Sequence, residues 1–447
     1  MPSCRAGVML ACALLASGVP GTTRAQSTAD WQAGQDAAVR QSQAIMQKAE
    51  QQPGLLAQYR ILHEAYLGNR NPVFHQVFDQ YLAWFQSFLG DYPAASASFS
   101  IAQKPQSDDN PSPLSGGYTA RPAIQAIADL ARPYRAVFFN EAHNVPLTRT
   151  LTLQLLGKLR AEGFNYFAAE TLSRSDGALQ SRGYPIRASG FYTREPISAE
   201  MLRTAIRLGY RIVAYEADPD ASGDERETEQ ASNLNRLVFK ADPQARLVVN
   251  AGYAHIRESG KFLGGQSMAE HFRKLTGIDP LTIEQTVMFP HASADDDHPY
   301  YTAVTRKLQP AQPIIFERPD GKPWTLRAGY DVSVFFPAQT LRDGRPTWLD
   351  LGGLRRPYHV SALRCLRRFP CLVEARDAGE GEDAIPADRM VLNRAPASLS
   401  PGQLIPLAQA VPSGELYLRP GKYRLSYSHV RGGKTSGEII SVSASGN

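Results

Sequence analysis

Apolar residues in the first quarter of the chain recur at the spacing of an α-helix. Between about Asp30 and Ala102 glycine is scarce and apolar positions follow at steps of three and four, as at Leu62, Tyr66, Phe78, Leu82, Phe85 and Leu89. This pattern predicts a helical region over residues 30–103. A stretch rich in Pro, Ser, Asp and Gly follows, and its lack of periodicity predicts a linker over residues 104–120.

The centre of the chain alternates between short apolar runs and amphipathic segments. The predicted strands are Tyr134–Phe139, Tyr166–Ala169, Arg211–Tyr215, Leu247–Asn250, Leu281–Met288 and Val332–Phe336. The first predicted helix has Pro122 in its first turn. The other predicted helices are Pro146–Ala161, Ala199–Leu208, Glu225–Lys240 and Met268–Leu275. Such alternation, with continuously apolar strands, is typical of a mostly parallel sheet with helices on both faces. We therefore predict an α/β domain of catalytic type over residues 121–350.

The end of the chain has the pattern of a small all-β sandwich, predicted over residues 356–447. Tyr423, Leu425 and Tyr427 alternate with polar residues after a Pro-Gly turn. Cys365 and Cys371 enclose five residues in this region, and an oxidising compartment would join them in a disulfide. Metal binding by this pair alone is the weaker alternative, because a zinc site needs two further ligands.

The first residues predict export. Arg5 precedes an apolar run over residues 6–19 that is too short to span a bilayer, and Thr23-Arg24-Ala25 provides a small-x-small cleavage site. We expect a signal peptide over residues 1–25, a periplasmic or secreted mature protein, and no membrane span. The net charge of +5 is modest and the basic residues are scattered, which gives no support for nucleic-acid binding.

Ionisable side chains follow four of the predicted strands. Glu141 and His143 follow the first, Glu170 the second and Glu216 the third, while the fourth leads into Tyr253 and His255. Loops beyond the carboxyl ends of parallel strands converge, so we expect one site there. A single acid after a strand is more often a helix cap or a solvated loop residue. Four such strands in a row are less easily explained in that way.

A predicted helix offers further candidates for the same site. Arg226, Gln230 and Asn233 are four and three residues apart, so a helix presents them on one face, from which they could hold an anionic group. A solvated helix face is the alternative. The chain has no G-x-S-x-G, H-E-x-x-H or C-x-x-C motif, and no dinucleotide fingerprint follows the first strand.

Two resemblances to known families add to this picture. Leu82-Ala83, Gly90-Asp91-Tyr92, Ala95, Phe99 and Ala102 resemble the second half of a tetratricopeptide repeat, which implies a docking or supporting role. The central domain, from about Arg121 to Met288, resembles the superfamily of erythromycin esterases, Tiki and TraB proteins and haem-binding ChaN-like proteins. Its hallmarks are two G-x-x-H motifs with acidic residues after the intervening strands.

The motifs of that superfamily map onto the candidate residues. Gly252-Tyr253-Ala254-His255 matches the second motif, and Asn140-Glu141-Ala142-His143 resembles the first with Asn in place of Gly. We expect Asn140 to narrow the space near the site. The segment from Arg226 to Asn233 is similar to the Arg…Asn helix that erythromycin esterases place over their site.

Three functions fit these residues. The first is an exported hydrolase of an ester or amide bond in a small molecule or peptide. In it His143 or His255 is the general base, or Glu141, His143, Glu170 and His255 hold a divalent metal such as zinc or manganese. The residues expected to bind substrate are Arg226, Asn233, Glu216 and Tyr253.

The second function is a periplasmic haem or metal carrier without turnover, with His143, Tyr253 and His255 as axial ligands. A haem pocket is largely apolar, so the carboxylates favour the hydrolase. The third is a degenerate core whose helical and β regions bind a protein partner.

Overall fold

The computed structural model describes residues 28–393, 412–430 and 434–444. The expected signal peptide lies outside the described residues. The α-helices are α1 (Thr28–Glu50), α2 (Leu55–Gly68), α3 (Pro72–Phe88), α4 (Tyr92–Ser98), α5 (Ala123–Ala131), α6 (Leu147–Ala161), α7 (Leu179–Arg182), α8 (Pro196–Arg207), α9 (Gly223–Leu234), α10 (Met268–Thr276) and α11 (Pro299–Leu308).

The strands are β1 (Thr119–Pro122), β2 (Ala136–Glu141), β3 (Tyr166–Ala169), β4 (Arg211–Val213), β5 (Leu247–Gly252), β6 (Leu281–Glu284), β7 (Ile314–Glu317), β8 (Val332–Ser333), β9 (Leu341–Arg342), β10 (Arg345–Pro346), β11 (Arg356–Ser361), β12 (Cys371–Asp377), β13 (Asp388–Leu392), β14 (Ser413–Leu418), β15 (Gly421–His429) and β16 (Lys434–Val442). No helix among the described residues is both long and apolar enough to cross a membrane.

The described chain divides into two compact units. The α/β unit comprises Ser100–Thr340 and Gly381–Ile385. The second unit comprises residues 28–99, Leu341–Glu380 and residues 386–444, so the N-terminal helices and the C-terminal strands lie in one unit.

A six-stranded sheet forms the centre of the α/β unit, in the order β4-β3-β5-β2-β6-β8 with every pair parallel. On one face, side chains such as Phe138 and Val249 pack against α9 and α10. The alternating side chains Val137, Phe139 and Val248 point to the other face and are also fully buried. Because both faces are covered, the strands are apolar throughout, which is why their sequences carry no alternation. The predicted α/β class is confirmed.

One local prediction in this unit is wrong. The sequence predicts the end of the linker and the first turn of a helix over residues 119–122. They form β1, antiparallel to β7, and α5 begins one residue after Pro122. The pairing of β1 depends on a strand far along the chain, which local propensity does not register.

The N-terminal helical region forms as predicted but in four pieces. Gly54 has φ 88° between α1 and α2, Asn71 caps α3 by accepting a hydrogen bond from Val73 N, and Asp91 caps α4 in the same way. A proline in the first turn of α3 and of α4 fixes where each begins.

The C-terminal strands form two antiparallel sheets, β13-β12-β15-β16 and β11-β14. The two sheets share one core, in which Val360, Leu416, Val373 and Leu425 are buried together. The predicted alternation in β15 is confirmed, since Tyr423, Leu425 and Tyr427 all point inward. Cys365 and Cys371 form the predicted disulfide, with Cα atoms 5.9 Å apart.

Candidate functional site

The register of the central strands brings the predicted residues to one edge of the sheet. Glu141, the last residue of β2, lies opposite Gly252, the last residue of β5. Ala169 of β3 lies opposite Asn250 of β5, so Glu170 follows at the same level. Glu141, His143, Glu170 and His255 are all at most 6 % exposed. The strand-end pattern in the sequence therefore corresponds to one buried cluster.

His143 is held by Glu141. The imidazole Nδ1 donates to Glu141 Oε1 at 3.0 Å, because a carboxylate can only accept. Arg149, on α6, donates to both oxygens of Glu141 at 2.8 and 2.6 Å, and the Asn250 amide donates to Oε2 at 2.5 Å. Burial opposes ionisation of Glu141, but Arg149 and His143 outweigh it and lower its pKa to about 2. With the Nδ1 proton directed to Glu141, the neutral form of this imidazole has its lone pair on Nε2.

Arg149 and its second partner Glu195 were missed in the sequence. Arg149 is fully buried and also donates to Glu195 Oε2 at 3.2 Å. Glu195 in turn accepts from the backbone N–H groups of Ile197 and Ser198 at the start of α8. A cation in the first turn of a helix is disfavoured by the helix dipole. The position of Arg149 in α6 was therefore a usable signal.

Glu170 lies between the two histidines. Its Oε2 accepts from Gly252 N at 2.6 Å and is 3.9 Å from His143 Nε2, while its Oε1 is 3.5 Å from His255 Nε2. Arg226 donates to Oε1 at 2.9 Å. Burial opposes ionisation, but the attraction of His255, His143 and Arg226 holds the pKa of Glu170 far below its usual range. Glu170 is therefore a carboxylate that both imidazoles face.

His255 has its own buried carboxylate. Its Nδ1 donates to Glu227 Oε2 at 2.8 Å, and Glu227 also accepts from Met268 N at 2.8 Å. Burial lowers the pKa of His255, but the attraction of Glu227 and Glu170 is larger, so the net shift is upward. Glu227 was missed in the sequence. It lies on the apolar stripe of α9 with Ala231 and Leu234, and a charge at such a position was the available signal.

The predicted face of α9 converges on Glu216. Arg226 donates to both carboxylate oxygens of Glu216 at 3.1 Å, and Gln230 donates to Oε1 at 2.7 Å. Asn233 donates instead to the main-chain oxygens of Tyr215 and Glu216 at 3.1 and 3.2 Å. Asn233 therefore fixes the chain after β4 and takes no part in the cluster of charges, whereas Arg226 links Glu216 to Glu170.

Two tyrosines enclose His143. The ring of Tyr192 stacks on the imidazole with centroids 4.0 Å apart, and Tyr253 packs against it edge-on at 5.1 Å. Tyr192 belongs to the long segment after β3 and was not predicted as a site residue. Tyr253 has φ 42°, a sparsely populated conformation for a residue with a side chain.

Asn140 braces the turn that contains Tyr253. Its amide donates to Tyr253 O at 2.9 Å and its Oδ1 accepts from Gln285 N at 2.6 Å. The side chain is therefore directed to the residues after β6, and the expected narrowing of the space near the site stays a prediction. In this chain Asn140 stabilises the backbone of the second motif, Gly252–His255, through its hydrogen bond to Tyr253 O.

The predicted four-residue metal site does not fit the donor atoms. Glu141 has about four lone-pair directions, and two bonds from Arg149, one from His143 and one from Asn250 occupy them. Among the described residues, no group of three or more His, Cys, Asp and Glu side chains has the arrangement of a metal site. A haem fits no better, because the Nε2 atom of His143 that would bind its iron lies 3.9 Å from the Glu170 carboxylate.

Gly252 is required by contact with His143. A Cβ atom at this position would lie 2.2 Å from Cε1 and 2.3 Å from Nε2 of the imidazole, and 3.0 Å from Glu170 Oε2. The backbone angles, φ −76° and ψ 144°, would accept any residue. The requirement for glycine in this G-x-x-H motif is therefore steric and comes from the other motif's histidine.

Gly252→Ala is expected to lower the free energy of unfolding by about 1–3 kcal/mol, because the buried imidazole must leave its rotamer. Gly157→Ala is the matched control, since Gly157 lies in α6 with nothing within 4 Å of the added Cβ. That change should be neutral or stabilising by up to about 1 kcal/mol. Urea unfolding of both variants measures the difference, and equal stability of the two would contradict the contact.

Comparisons with known proteins leave the family of this chain open. No protein-family model and no curated protein matches it. Three solved structures are similar over about half of the chain. The type III effector HopBA1 has 14 % identity and a TM-score of 0.32, covering 50 % of this chain and 99 % of its own.

The second structure, described as "Bacterial protein toxins", has 12 % identity and a TM-score of 0.29, covering 51 % of this chain and 52 % of its own. The third, RRSP, a MARTX toxin effector domain from Vibrio vulnificus CMCP6, has 16 % identity and a TM-score of 0.25, covering 48 % and 43 %. At these values none of the three defines a function for the present chain.

Proposed function

We propose that the protein is a hydrolase that cleaves an ester or amide bond with two histidine–glutamate pairs and no metal. The observation that carries this proposal is the arrangement of the imidazoles. Each donates through Nδ1 to its own buried carboxylate, at 3.0 Å for His143 and 2.8 Å for His255, and each directs Nε2 to Glu170. Pairs of this kind fix the tautomer and orientation of a catalytic imidazole.

His143 is the proposed general base. The 3.9 Å between its Nε2 and Glu170 Oε2 is too long for a direct hydrogen bond, but a water beside the line joining them reaches both atoms. Such a water would donate one proton to His143 and the other to Glu170. As its oxygen attacks the substrate carbonyl carbon, the first proton passes to Nε2 of His143. Glu141 and Glu170 are positioning residues in this scheme.

His255 is the proposed general acid. The raised pKa of its imidazole favours the charged form, in which the Nε2 proton faces Glu170 Oε1 at a nitrogen–oxygen distance of 3.5 Å, and Arg226 Nη1 lies 3.2 Å from the same nitrogen. Arg226 stabilises the oxyanion that forms when water adds to the carbonyl. When the carbon–oxygen or carbon–nitrogen bond breaks, the His255 proton passes to the leaving group, which departs as an alcohol or amine.

We also propose that the domain belongs with the erythromycin esterase and Tiki-like superfamily and acts in the periplasm or outside the cell. The two motif histidines meeting at one carboxylate support the first statement. The Cys365–Cys371 disulfide supports the second, because the cytosol keeps such thiols reduced.

The acid role of His255 predicts a specific pH effect. Its pKa is raised, so the charged form persists above the ordinary value of 6.5 and activity should fall as pH rises through the raised value. Glu227 is the largest source of that rise. Glu227→Gln should therefore move the alkaline limb of the kcat profile to lower pH while keeping an acceptor for Met268 N. A panel of chromogenic esters and peptide amides supplies the substrate.

Glu229→Gln is the control for this shift. Glu229 is on the same helix, but its side chain is a third exposed and accepts a hydrogen bond from Asp218 N. The pH profile of kcat of the Glu229→Gln variant should therefore match that of the wild type. If the alkaline limb of the kcat profile is at the same pH in Glu227→Gln as in the wild type, His255 is not the general acid. Activity lost to a chelator and restored by zinc or manganese would assign water activation to a metal. A haem absorption band that depends on His143 would favour the carrier.

A further inference from the structure

A surface loop in the second unit combines exposed apolar and basic side chains. We define the disulfide loop as Leu363–Cys371, which the Cys365–Cys371 bond closes at its base. Leu363 and Leu366 are 70 % and 60 % exposed, values that rank with the highest among large apolar side chains of the described residues. Arg364, Arg367 and Arg368 are exposed beside them. Exposed apolar side chains gathered in one place usually mark an interaction surface.

The backbone of this loop holds the side chains outward. Leu366 and Arg367 have φ 50° and 59°, and two successive left-handed residues with side chains are uncommon. The disulfide encloses only five residues, which limits the conformations open to the loop. Conformations of this kind persist only where the surrounding structure enforces them. The loop is therefore a preformed projection of two leucines among three arginines.

A cavity of about 750 Å³ adjoins the loop, and its lining includes Arg367, Arg368, Phe369 and His429. Arg368 Nη1 lies 3.2 Å from His429 Nε2. The one acid paired with the arginines among the described contacts is Glu438, at 2.8 Å from Arg364. The cavity joins basic donors to an aromatic ring, which suits a phosphate attached to an apolar group.

We propose that the disulfide loop docks the protein on an anionic phospholipid surface, with Leu363 and Leu366 in the interfacial layer and the arginines on lipid phosphates. Charge complementarity supports this occupant, because basic side chains near an anionic leaflet strengthen binding. The two leucines distinguish a bilayer from an acidic protein. A lipid interface accepts apolar side chains at a projecting tip without a matching pocket, and arginine side chains extend from it to the phosphates.

Vesicle flotation with the full mature chain tests this proposal. The wild type should bind vesicles that contain equal amounts of phosphatidylglycerol and phosphatidylcholine. It should bind far more weakly to vesicles of phosphatidylcholine alone. Arg364→Gln/Arg367→Gln/Arg368→Gln should weaken binding about 100-fold, at about fivefold for each charge. Leu363→Ser/Leu366→Ser should weaken it about tenfold. Raising the salt from 50 to 500 mM should also weaken wild-type binding, which tests the charge contribution without any mutation.

Two matched variants control for net charge and for exposed leucine. Lys104→Gln/Lys307→Gln/Lys322→Gln removes the same charge from exposed positions elsewhere, and Leu67→Ser changes a leucine that is 67 % exposed on α2. Both should bind vesicles as the wild type does. Three results would each overturn the proposal. These are a wild type that does not bind anionic vesicles, lysine and arginine variants that lose binding equally, and soluble glycerophosphate that competes fully with the vesicles. Circular dichroism and the disulfide count confirm that each variant is folded.

Discussion

His143→Gln should lower kcat by about 10³-fold for any ester or amide that the wild type hydrolyses. Removal of a general base from a positioned water has effects of about 10²–10⁴-fold. Glutamine preserves the approximate size between Tyr192 and Tyr253 and can still contact Glu141, but it cannot accept the proton at the Nε2 position. The effect should fall mainly on kcat, because a general base, the role proposed for His143, acts in the transition state more than in substrate binding.

His271→Gln is the control for this change. His271 also contacts a carboxylate, with Nε2 2.9 Å from Asp224, but it lies on α10 and the side chain of its partner is 51 % exposed. Its kcat should stay within about twofold of the wild type, as for surface substitutions in general. Retention of more than a tenth of the activity in His143→Gln would remove this residue from the role of base and leave His255 as the candidate.

Arg149→Met should lower the free energy of unfolding by about 3–5 kcal/mol, the usual result of removing one partner from a buried ion pair. Arg149 is fully buried between Glu141 and Glu195, both of which are at most 4 % exposed. Methionine fills much of the volume without the charge. Two carboxylates then lose the guanidinium that compensated their burial. Urea unfolding of the mature protein measures the loss.

The loss of unfolding free energy in Arg149→Met should depend on pH, and the titration of Glu141 sets the direction of that dependence. In the wild type its pKa of about 2 lies below the ordinary 4.5, so its contribution to stability is present above 4.5 and lost as pH falls toward 2. Without Arg149, burial raises the pKa, and the folded variant then holds its proton more tightly than the unfolded chain does. The variant should therefore lose more stability at pH 8 than at pH 5.

Arg132→Met provides the comparison. Arg132 pairs with Asp129 at 2.9 Å and Glu162 at 3.2 Å, but its side chain is 58 % exposed. Exposed ion pairs contribute about 0–1 kcal/mol, so this variant should unfold within about 1 kcal/mol of the wild type at both pH values. If Arg149→Met is no less stable than Arg132→Met, the Arg149 ion pairs do not stabilise the fold.

The sequence by itself determined the α/β class and the edge of the sheet where the candidate site residues lie. Continuous apolar runs such as Leu247–Asn250 identify strands buried on both faces, because burial leaves no polar positions. Glu141, His143, Glu170, Glu216 and His255 could be placed together for the same reason, since parallel strands deliver their carboxyl ends to one edge. Each of these inferences depends on short stretches of chain.

Only the tertiary structure decided how those residues are paired. Arg149 and Glu227 lie within helices, and their partners Glu141 and His255 become neighbours only when α6 and α9 pack on the sheet. The steric need for Gly252 likewise comes from His143 on another strand. Glu141 accepts four hydrogen bonds through such contacts, and these leave it no free lone pair for the expected metal. Local sequence does not contain such pairings, because they depend on which distant segments the folded chain brings within hydrogen-bonding distance.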